Sequence, residues 1–121
     1  AQTINVRGYA IIFRMLFNVA YLNKELSEKL LSWLAQENFK DGLVAGVPGN
    51  IPVAHKLGER EVSDGKTTFP IKQLHDCGII YYPKNPYLLC VMTRGKNLDE
   101  LANIISTVSK MIYEEVNSRK L

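Results

Sequence analysis

Hydrophobic side chains recur at spacings of three and four along the start of the chain, and this pattern predicts a helix over residues 5–20. The opposite side of that helix is also hydrophobic, so that only Arg7, Arg14 and Asn18 form a polar stripe. The apolar positions are Val6, Tyr9, Ala10, Phe13, Leu16, Phe17 and Ala20 on one side and Ile11, Ile12, Met15 and Val19 on the other. A helix that is apolar almost all round is typical of the interior of a larger structure. We therefore expect its packing partner to lie outside these 121 residues.

A second amphipathic pattern follows, and Asn23 provides an N-cap for a helix that extends to about Gln36. Its predicted buried face consists of Leu26, Leu30, Trp33 and Leu34. Residues 38–47, which contain Gly42 and Gly46, predict a short helical turn and a loop. The helical part then ends at Pro48, Gly49 and Pro52.

Three β-rich segments come next, over residues 51–62, 74–82 and 87–93. Alternation along the first segment places Val53, His55 and Leu57 on one face of the strand and Ala54, Lys56 and Gly58 on the other. Residues 63–72 predict a polar loop, and Pro83 to Pro86 predict a four-residue hairpin connection. The second and third segments are apolar on both faces, which favours an antiparallel sheet with helices on both sides.

Asn97 is the predicted N-cap of a last helix, with Asp99 and Glu100 at its positive end and Arg119 and Lys120 at its negative end. Its predicted inner face is Leu98, Leu101, Ile104, Ile105, Val108 and Ile112. The fold class is therefore α+β, in the order ααα-βββ-α. We interpret residues 1–121 as one partial domain, helical over 5–50, with the sheet and C-terminal helix over 51–121.

Composition and charge exclude several classes of function. The net charge of +3 is mild and the basic residues are scattered, so the sequence does not indicate nucleic-acid binding. No apolar run reaches the roughly 18 residues of a membrane span. His55 and His75 lie far apart with no carboxylate at ligand spacing, so no metal or other cofactor is expected. The chain begins at Ala1 without a Met or a targeting segment, which we interpret as a processed or excised product.

The two cysteines fit neither a disulfide scaffold nor a C-x-x-C motif. If Tyr82 pairs with Tyr87 across the hairpin, Cys77 and Cys90 lie diagonally on one face of the sheet, near the limit for a disulfide. This register predicts free thiols.

The segment from His55 to Glu59, with Lys56 and Gly58 at its centre, resembles the Lys-Thr-Gly strand of serine β-lactamases and penicillin-binding proteins. The hairpin over 74–93 is similar to the last two strands of the class A β-lactamase-like fold, and the helix after it to the helix that closes that fold. Residues 9–14 and 21–34 look like the helices that lead into the motif strand. The resemblance covers essentially the whole chain.

The resemblance implies a role in acyl transfer for four residues. Lys56 would place positive charge near the substrate carboxylate, the backbone N–H of Glu59 would be an oxyanion donor, and Gly58 would allow close approach of a ligand. Leu57 stands where the family carries Thr or Ser, so a hydroxyl that binds the substrate carboxylate is lost. His55 and Asp76 are better interpreted as structural residues than as a base, an acid or a ligand.

Two signatures of the family, Ser-x-x-Lys and Ser-Asp-Asn, have no match before Lys56. The sequence from Ser63 to Lys66 fits the first as a pattern. It follows the motif strand in a loop, however, whereas the nucleophile requires a helical turn that brings its lysine to the serine. We therefore expect no catalytic residue in this chain, which would be inactive alone.

The resemblance thus implies the C-terminal part of a serine hydrolase that breaks down β-lactams, a function associated with antibiotic resistance. A cell-wall transpeptidase or carboxypeptidase, a homologue that has lost activity, and a self-sufficient binding module remain alternatives. Expected partners are the missing N-terminal part of the same domain, a β-lactam or cell-wall peptide, and a second copy bound through the apolar first helix. The family is exported, so a periplasmic, cell-surface or secreted location is expected.

Overall fold

A computed structural model describes residues 5–8, 10–12, 14–15, 29, 32–33, 39–63, 65 and 70–119. Within these residues a short 3-10 turn, Val44–Gly46, precedes three strands and a long C-terminal helix. The strands are β1, Val53–Val62, β2, Ile71–Ile80, and β3, Tyr87–Gly95, and the C-terminal helix is Leu98–Arg119. The strands form one antiparallel sheet in the order β1-β2-β3. The predicted α+β class and its antiparallel sheet are confirmed.

The two faces of the sheet pack into separate hydrophobic clusters, as the alternation along β1 predicts. Ala54 lies on one face with Cys77 and Ile79, where Tyr81, Leu88 and Cys90 pack against them. Leu57 lies on the other face, where the C-terminal helix covers a cluster of Leu43, Leu74, Leu101, Ala102 and Ile105. We call these the Ala54 cluster and the helix-side cluster.

The C-terminal helix begins as predicted, because the Asn97 side chain accepts a hydrogen bond from the Glu100 N–H at 3.2 Å. Its predicted inner face is wrong at Ile104 and Ile112, which are 48% and 37% exposed. Ala102 and Ser109 are buried in their place. The reason is the 3-10 turn: a Cβ on Gly46 would lie 2.6 Å from Ser109 Cβ and 2.6 Å from Ser106 O, so only small helix residues fit beneath it.

The N-terminal helical pattern is present at the described positions 6–8, 10–12 and 14–15, and Asn5 accepts a hydrogen bond from the Gly8 N–H at 2.8 Å. Among its described apolar side chains, Val6, Ile11, Ile12 and Met15 are exposed, from 40% at Val6 to 60% at Met15. Residues 29 and 32–33 are also helical, whereas the predicted cap at Asn23 lies outside the described residues.

Trp33 was predicted to be buried, and this is wrong: its side chain is 60% exposed. The ring lies on the same helical face as Lys29, whose ammonium nitrogen is 5.6 Å from the ring centroid. A cation–π contact of this kind is compatible with solvent. The indole therefore packs beneath an exposed lysine chain and not within a core.

The register of the hairpin differs from the predicted one. Ile80, not Tyr82, pairs with Tyr87, and β2 begins at Ile71, inside the predicted loop, because its ladder with β1 extends to Val62. Tyr82 leaves the sheet for the C-terminal helix, where its hydroxyl donates to Asn117 Oδ1 at 2.7 Å and its ring lies 5.7 Å from that of Tyr113. This contact withdraws Tyr82 from the ladder and shifts the pairing by two residues.

The shifted register places Cys77 directly opposite Cys90, and the two form a disulfide between β2 and β3. The prediction of free thiols is therefore wrong, because it rested on the Tyr82 pairing. Cys77 is buried within the Ala54 cluster, so the bond lies inside the sheet and not at its rim.

We expect the denatured, unreduced protein to contain no titratable thiol. The disulfide closes a loop with a sequence separation of 13 residues, so replacing both cysteines by Ala should lower the free energy of unfolding by about 3 kcal/mol. Thiol quantification in guanidinium and urea unfolding measure the two effects. Two reactive thiols in freshly purified protein would contradict the pairing.

Candidate functional site

The predicted site residues lie on β1, at the edge of the described sheet. Within the described part of the chain β1 pairs with β2 alone, so its other edge faces outward. Lys56 and Glu59 are exposed, while Leu57 and Gly58 are half-buried. Within the described residues no strand pairs with the outer edge of the segment, and its Leu57 side chain packs toward the C-terminal helix.

Neighbouring residues of the segment face opposite sides of the sheet. Lys56 and Gly58 share the face of the Ala54 cluster, and Lys56 lies across from Cys77. Leu57 packs on the opposite face, against the helix-side cluster. The residue that replaces the family's Thr or Ser therefore contributes to the core beneath the C-terminal helix.

Directly before Lys56, the side chain of His55 is buried and bonded to a buried carboxylate. His55 Nδ1 lies 2.7 Å from Asp76 Oδ1, and the two side chains are 1% and 0% exposed. An ionised carboxylate only accepts hydrogen bonds, so with Asp76 ionised the imidazole N–H is the donor. The expectation that His55 and Asp76 are structural residues agrees with this packing.

The second oxygen of Asp76 reaches beyond the sheet. Asp76 Oδ2 accepts a hydrogen bond from the Leu43 N–H at 3.0 Å, and the Leu43 carbonyl accepts one from the Ser109 hydroxyl at 2.7 Å. His55, Asp76, Leu43 and Ser109 thus form a buried polar chain from β1 to the C-terminal helix. Removing one partner of such a buried hydrogen bond leaves the other partner unsatisfied, which typically costs about 1–3 kcal/mol.

Two glycines provide the space for this chain. A Cβ on Gly78 would lie 2.6 Å from His55 Cβ and 2.6 Å from the Ala54 carbonyl oxygen, and a Cβ on Gly42 would lie 2.5 Å from Asp76 Oδ2. Gly78 is the register partner of His55, so its missing side chain lets the imidazole turn diagonally toward Asp76.

His75 is the register partner of Gly58 and therefore shares the face of Lys56. Burial lowers the pKa of the His75 imidazole below its usual value of 6.5 and outweighs the opposite effect of a hydrogen bond with the Leu74 backbone. The imidazole is consequently uncharged at neutral pH, so it adds no positive charge beside Lys56.

Other chemistry is limited within the described residues. No three His, Cys, Asp or Glu side chains among them come together as a metal site. At the Ser63 loop, Ser63 Oγ accepts a hydrogen bond from the Gly65 N–H at 3.4 Å in a bend without helical structure, and Lys66 lies outside the described residues. No described helix is long and apolar enough to cross a bilayer.

Comparison with known proteins identifies the family. The model of the beta-lactamase enzyme family matches residues 1–116. The chain belongs to the beta-lactamase enzyme family. No curated protein sequence matches it significantly.

Solved structures of similar fold cover nearly all of this chain. PBP-A has a TM-score of 0.71 at 18% identity, over 93% of this chain and 39% of PBP-A. A β-lactamase from Chitinophaga pinensis DSM 2588 has a TM-score of 0.73 at 20% identity, over 90% and 40%. A PBP-A mutant in an acyl-enzyme complex with penicillin G has a TM-score of 0.69 at 19% identity, over 93% and 39%. This chain spans about two fifths of each structure.

Within this member of the family, sequence reasoning found the site strand but missed how it is held. Leu43 and Ser109 were not singled out, because one acts through its backbone and the other is a serine in an amphipathic helix. Gly42 and Gly78 were the sequence signal that could have indicated this support. A glycine opposite a strand residue indicates a close approach by another group.

Replacing Gly78 by Ala should displace His55 from Asp76. The methyl group would overlap the His55 Cβ and the Ala54 carbonyl, and overpacking of this kind costs about 1–3 kcal/mol. Chemical denaturation measures the loss. Gly49→Ala is the control, because a Cβ there meets nothing within 4 Å, and equal stability of the two variants would contradict the proposed clearance.

The pKa of His75 should be below 6.5 in the folded protein, as measured by NMR titration of its ring protons. Since the unfolded chain then binds the proton more readily, the contribution of His75 to stability is present above pH 6.5 and is lost as pH falls below it. Urea unfolding between pH 5 and 8 should show this slope, reduced in His75→Asn. A His75 pKa at or above 6.5 would contradict the burial effect.

Proposed function

We propose that this chain is the C-terminal part of a serine hydrolase domain that opens β-lactams through an acyl-enzyme. The observation that carries the proposal is the Lys56–Gly58 segment on the open edge of β1, exposed in a member of the beta-lactamase enzyme family. The chain supplies one wall of the active site and no nucleophile.

In this reaction a serine from the upstream part of the domain attacks the β-lactam carbonyl carbon. The C–N bond of the ring opens, the acyl group is transferred to the serine oxygen, and the ring nitrogen takes up a proton. The backbone N–H of Glu59 would donate to the oxyanion that forms on the carbonyl oxygen, and Lys56 would provide positive charge beside the serine and the substrate carboxylate. Water then releases the product.

Surfaces of the described structure support an upstream segment as the partner. The outer edge of β3 is unpaired within the described residues. The C-terminal helix exposes Ile104, Met111 and Ile112, which lie along one side of it, and the first helical segment exposes Ile11 and Ile12. Because the similar structures are more than twice as long as this chain, we assign these surfaces to the rest of the domain.

Homodimerisation through the first helical segment is the alternative use of the same surface. Four exposed apolar side chains support it: Val6, Ile11, Ile12 and Met15. Size-exclusion chromatography with light scattering, on the protein with its upstream sequence, separates the two cases. A monomer is expected if the upstream part covers the helix.

The disulfide supports the proposal that the protein is exported. Buried cross-strand disulfides form in oxidising compartments, so Cys77–Cys90 supports a periplasmic, cell-surface or secreted location. Export would also bring the enzyme to its β-lactam substrates and would permit a role in antibiotic resistance.

A family member without acylation activity is the second candidate, and Leu57 favours it. Its side chain is packed in the helix-side cluster and offers no hydroxyl to a substrate carboxylate. The same hydroxyl-free site is compatible with a cell-wall peptidase or with a non-catalytic binding module. Labelling by a penicillin separates the acylating candidates, the hydrolase and the peptidase, from an inactive homologue and from a binding module.

The test uses the protein together with its upstream sequence and a fluorescent penicillin. We expect a covalent adduct, detected by gel and by mass, and Lys56→Ala should slow its formation by about 100-fold through lost electrostatic stabilisation. Lys110→Ala, which changes an exposed lysine on the C-terminal helix, is the matched control.

Each result decides between the candidates. Labelling that Lys110→Ala leaves unchanged and Lys56→Ala slows supports an acylating enzyme, as the proposed hydrolase requires. No adduct in the longer protein would support the inactive alternative. An adduct on the 121 residues alone would show that the nucleophile lies within this chain.

A further inference from the structure

We propose that His55 and Asp76 are positioning residues, whose buried hydrogen bond holds the Lys56–Glu59 segment in the geometry that acyl transfer requires. The inference rests on the proposed function, because that function gives the segment its role. Neither side chain touches the substrate: His55 lies on the face of the sheet opposite to Lys56.

The first argument is that an edge strand has few other constraints. Within the described residues β1 bonds to β2 on one side only. Edge strands with one ladder open more easily than central strands. His55 adds a side-chain bond to β2 one residue before Lys56, at the point in β1 where burial ends: Val53, Ala54 and His55 are buried and Lys56 is exposed.

The second argument is that the hydrogen bonds of this pair continue beyond the sheet. Asp76 is held by the Leu43 N–H, and Leu43 is held by the Ser109 hydroxyl of the C-terminal helix. His55, Asp76 and Ser109 are each at most 1% exposed, so water does not replace these bonds when they stretch. A displacement of β1 therefore has to break a buried charge-assisted hydrogen bond.

The third argument is the space provided for this arrangement. The absence of a Cβ on Gly78 leaves room for His55, and its absence on Gly42 leaves room for the carboxyl group of Asp76. A core filled by aliphatic side chains would need neither glycine. The local sequence therefore accommodates a buried polar contact at His55, directly before the site segment leaves the core of the sheet at Lys56.

The experiment compares variants of the protein with its upstream sequence, at 25 °C, after circular dichroism shows that each is folded. His55→Asn keeps a donor at the position of Nδ1, whereas His55→Leu keeps most of the volume and removes the donor. Asp76→Asn is a milder variant that keeps the side-chain volume and replaces one of the two acceptor oxygens by an amide nitrogen. Ser118→Ala is the matched control, since it removes an exposed hydroxyl from the C-terminal helix, outside the buried polar chain.

The readouts are the acylation rate constant and the non-covalent dissociation constant for a fluorescent penicillin. His55→Leu should lower the rate constant by about 10- to 100-fold, as expected for a small displacement of reacting groups. Asp76→Asn should lower it less, and His55→Asn should restore it to within about threefold of wild type. The dissociation constant should change by less than about twofold in every variant, and so should the rate constant of Ser118→Ala.

A wild-type rate in Asp76→Asn and His55→Leu would overturn the proposal, and so would an equal loss in Ser118→Ala. If His55→Leu does not fold, Asp76→Asn and His55→Asn decide alone. If wild-type protein is not acylated, the proposed function fails and amide exchange tests the positioning role separately. Faster exchange of residues 55–59 in Asp76→Asn than in Ser118→Ala then supports it, and equal exchange overturns it.

Discussion

A carboxylate that has no access to water needs protein partners for its oxygens, and the burial of Asp76 places this requirement at the centre of the fold. His55 satisfies one oxygen and the Leu43 N–H the other. Because both oxygens of Asp76 are bonded at once, β1 is held against β2 and the turn before β1 is held against the sheet. Ser109 then attaches the C-terminal helix through the Leu43 carbonyl, so that all these elements share one buried polar chain.

The sequence pattern was sufficient for the order of the strands and the last helix and for the two faces of β1, because hydrophobic alternation and capping are local. Alternation separated Leu57 from Lys56, and Asn97 marked the start of the last helix. The register of the hairpin is not determined by local sequence alone. It depends on Tyr82 binding Asn117 and packing on Tyr113, about thirty residues away, and the pairing of Cys77 with Cys90 depends on that register.

The site was predictable in part for the same reason. Lys56 and Gly58 were singled out by their resemblance to the Lys-Thr-Gly strand, whereas the support behind them uses a backbone N–H and a serine that periodicity cannot distinguish. Periodicity also could not choose between adjacent faces of the C-terminal helix. The close approach of Gly46 favours the face that carries Ser109, and Ile104 is exposed.

Leu57 shows that the side chain at one position of an edge strand can differ from the family's without changing the main-chain groups that the strand presents. Its side chain lies in the helix-side cluster, so replacing a hydroxyl there removes a polar contact without altering the outward edge of β1. A ligand that binds an open strand edge is recognised by main-chain groups, which every residue carries. Under the proposed function, the geometry that presents those groups would therefore matter more than the side chain at position 57, and the buried His55–Asp76 contact lies directly before the segment that carries them.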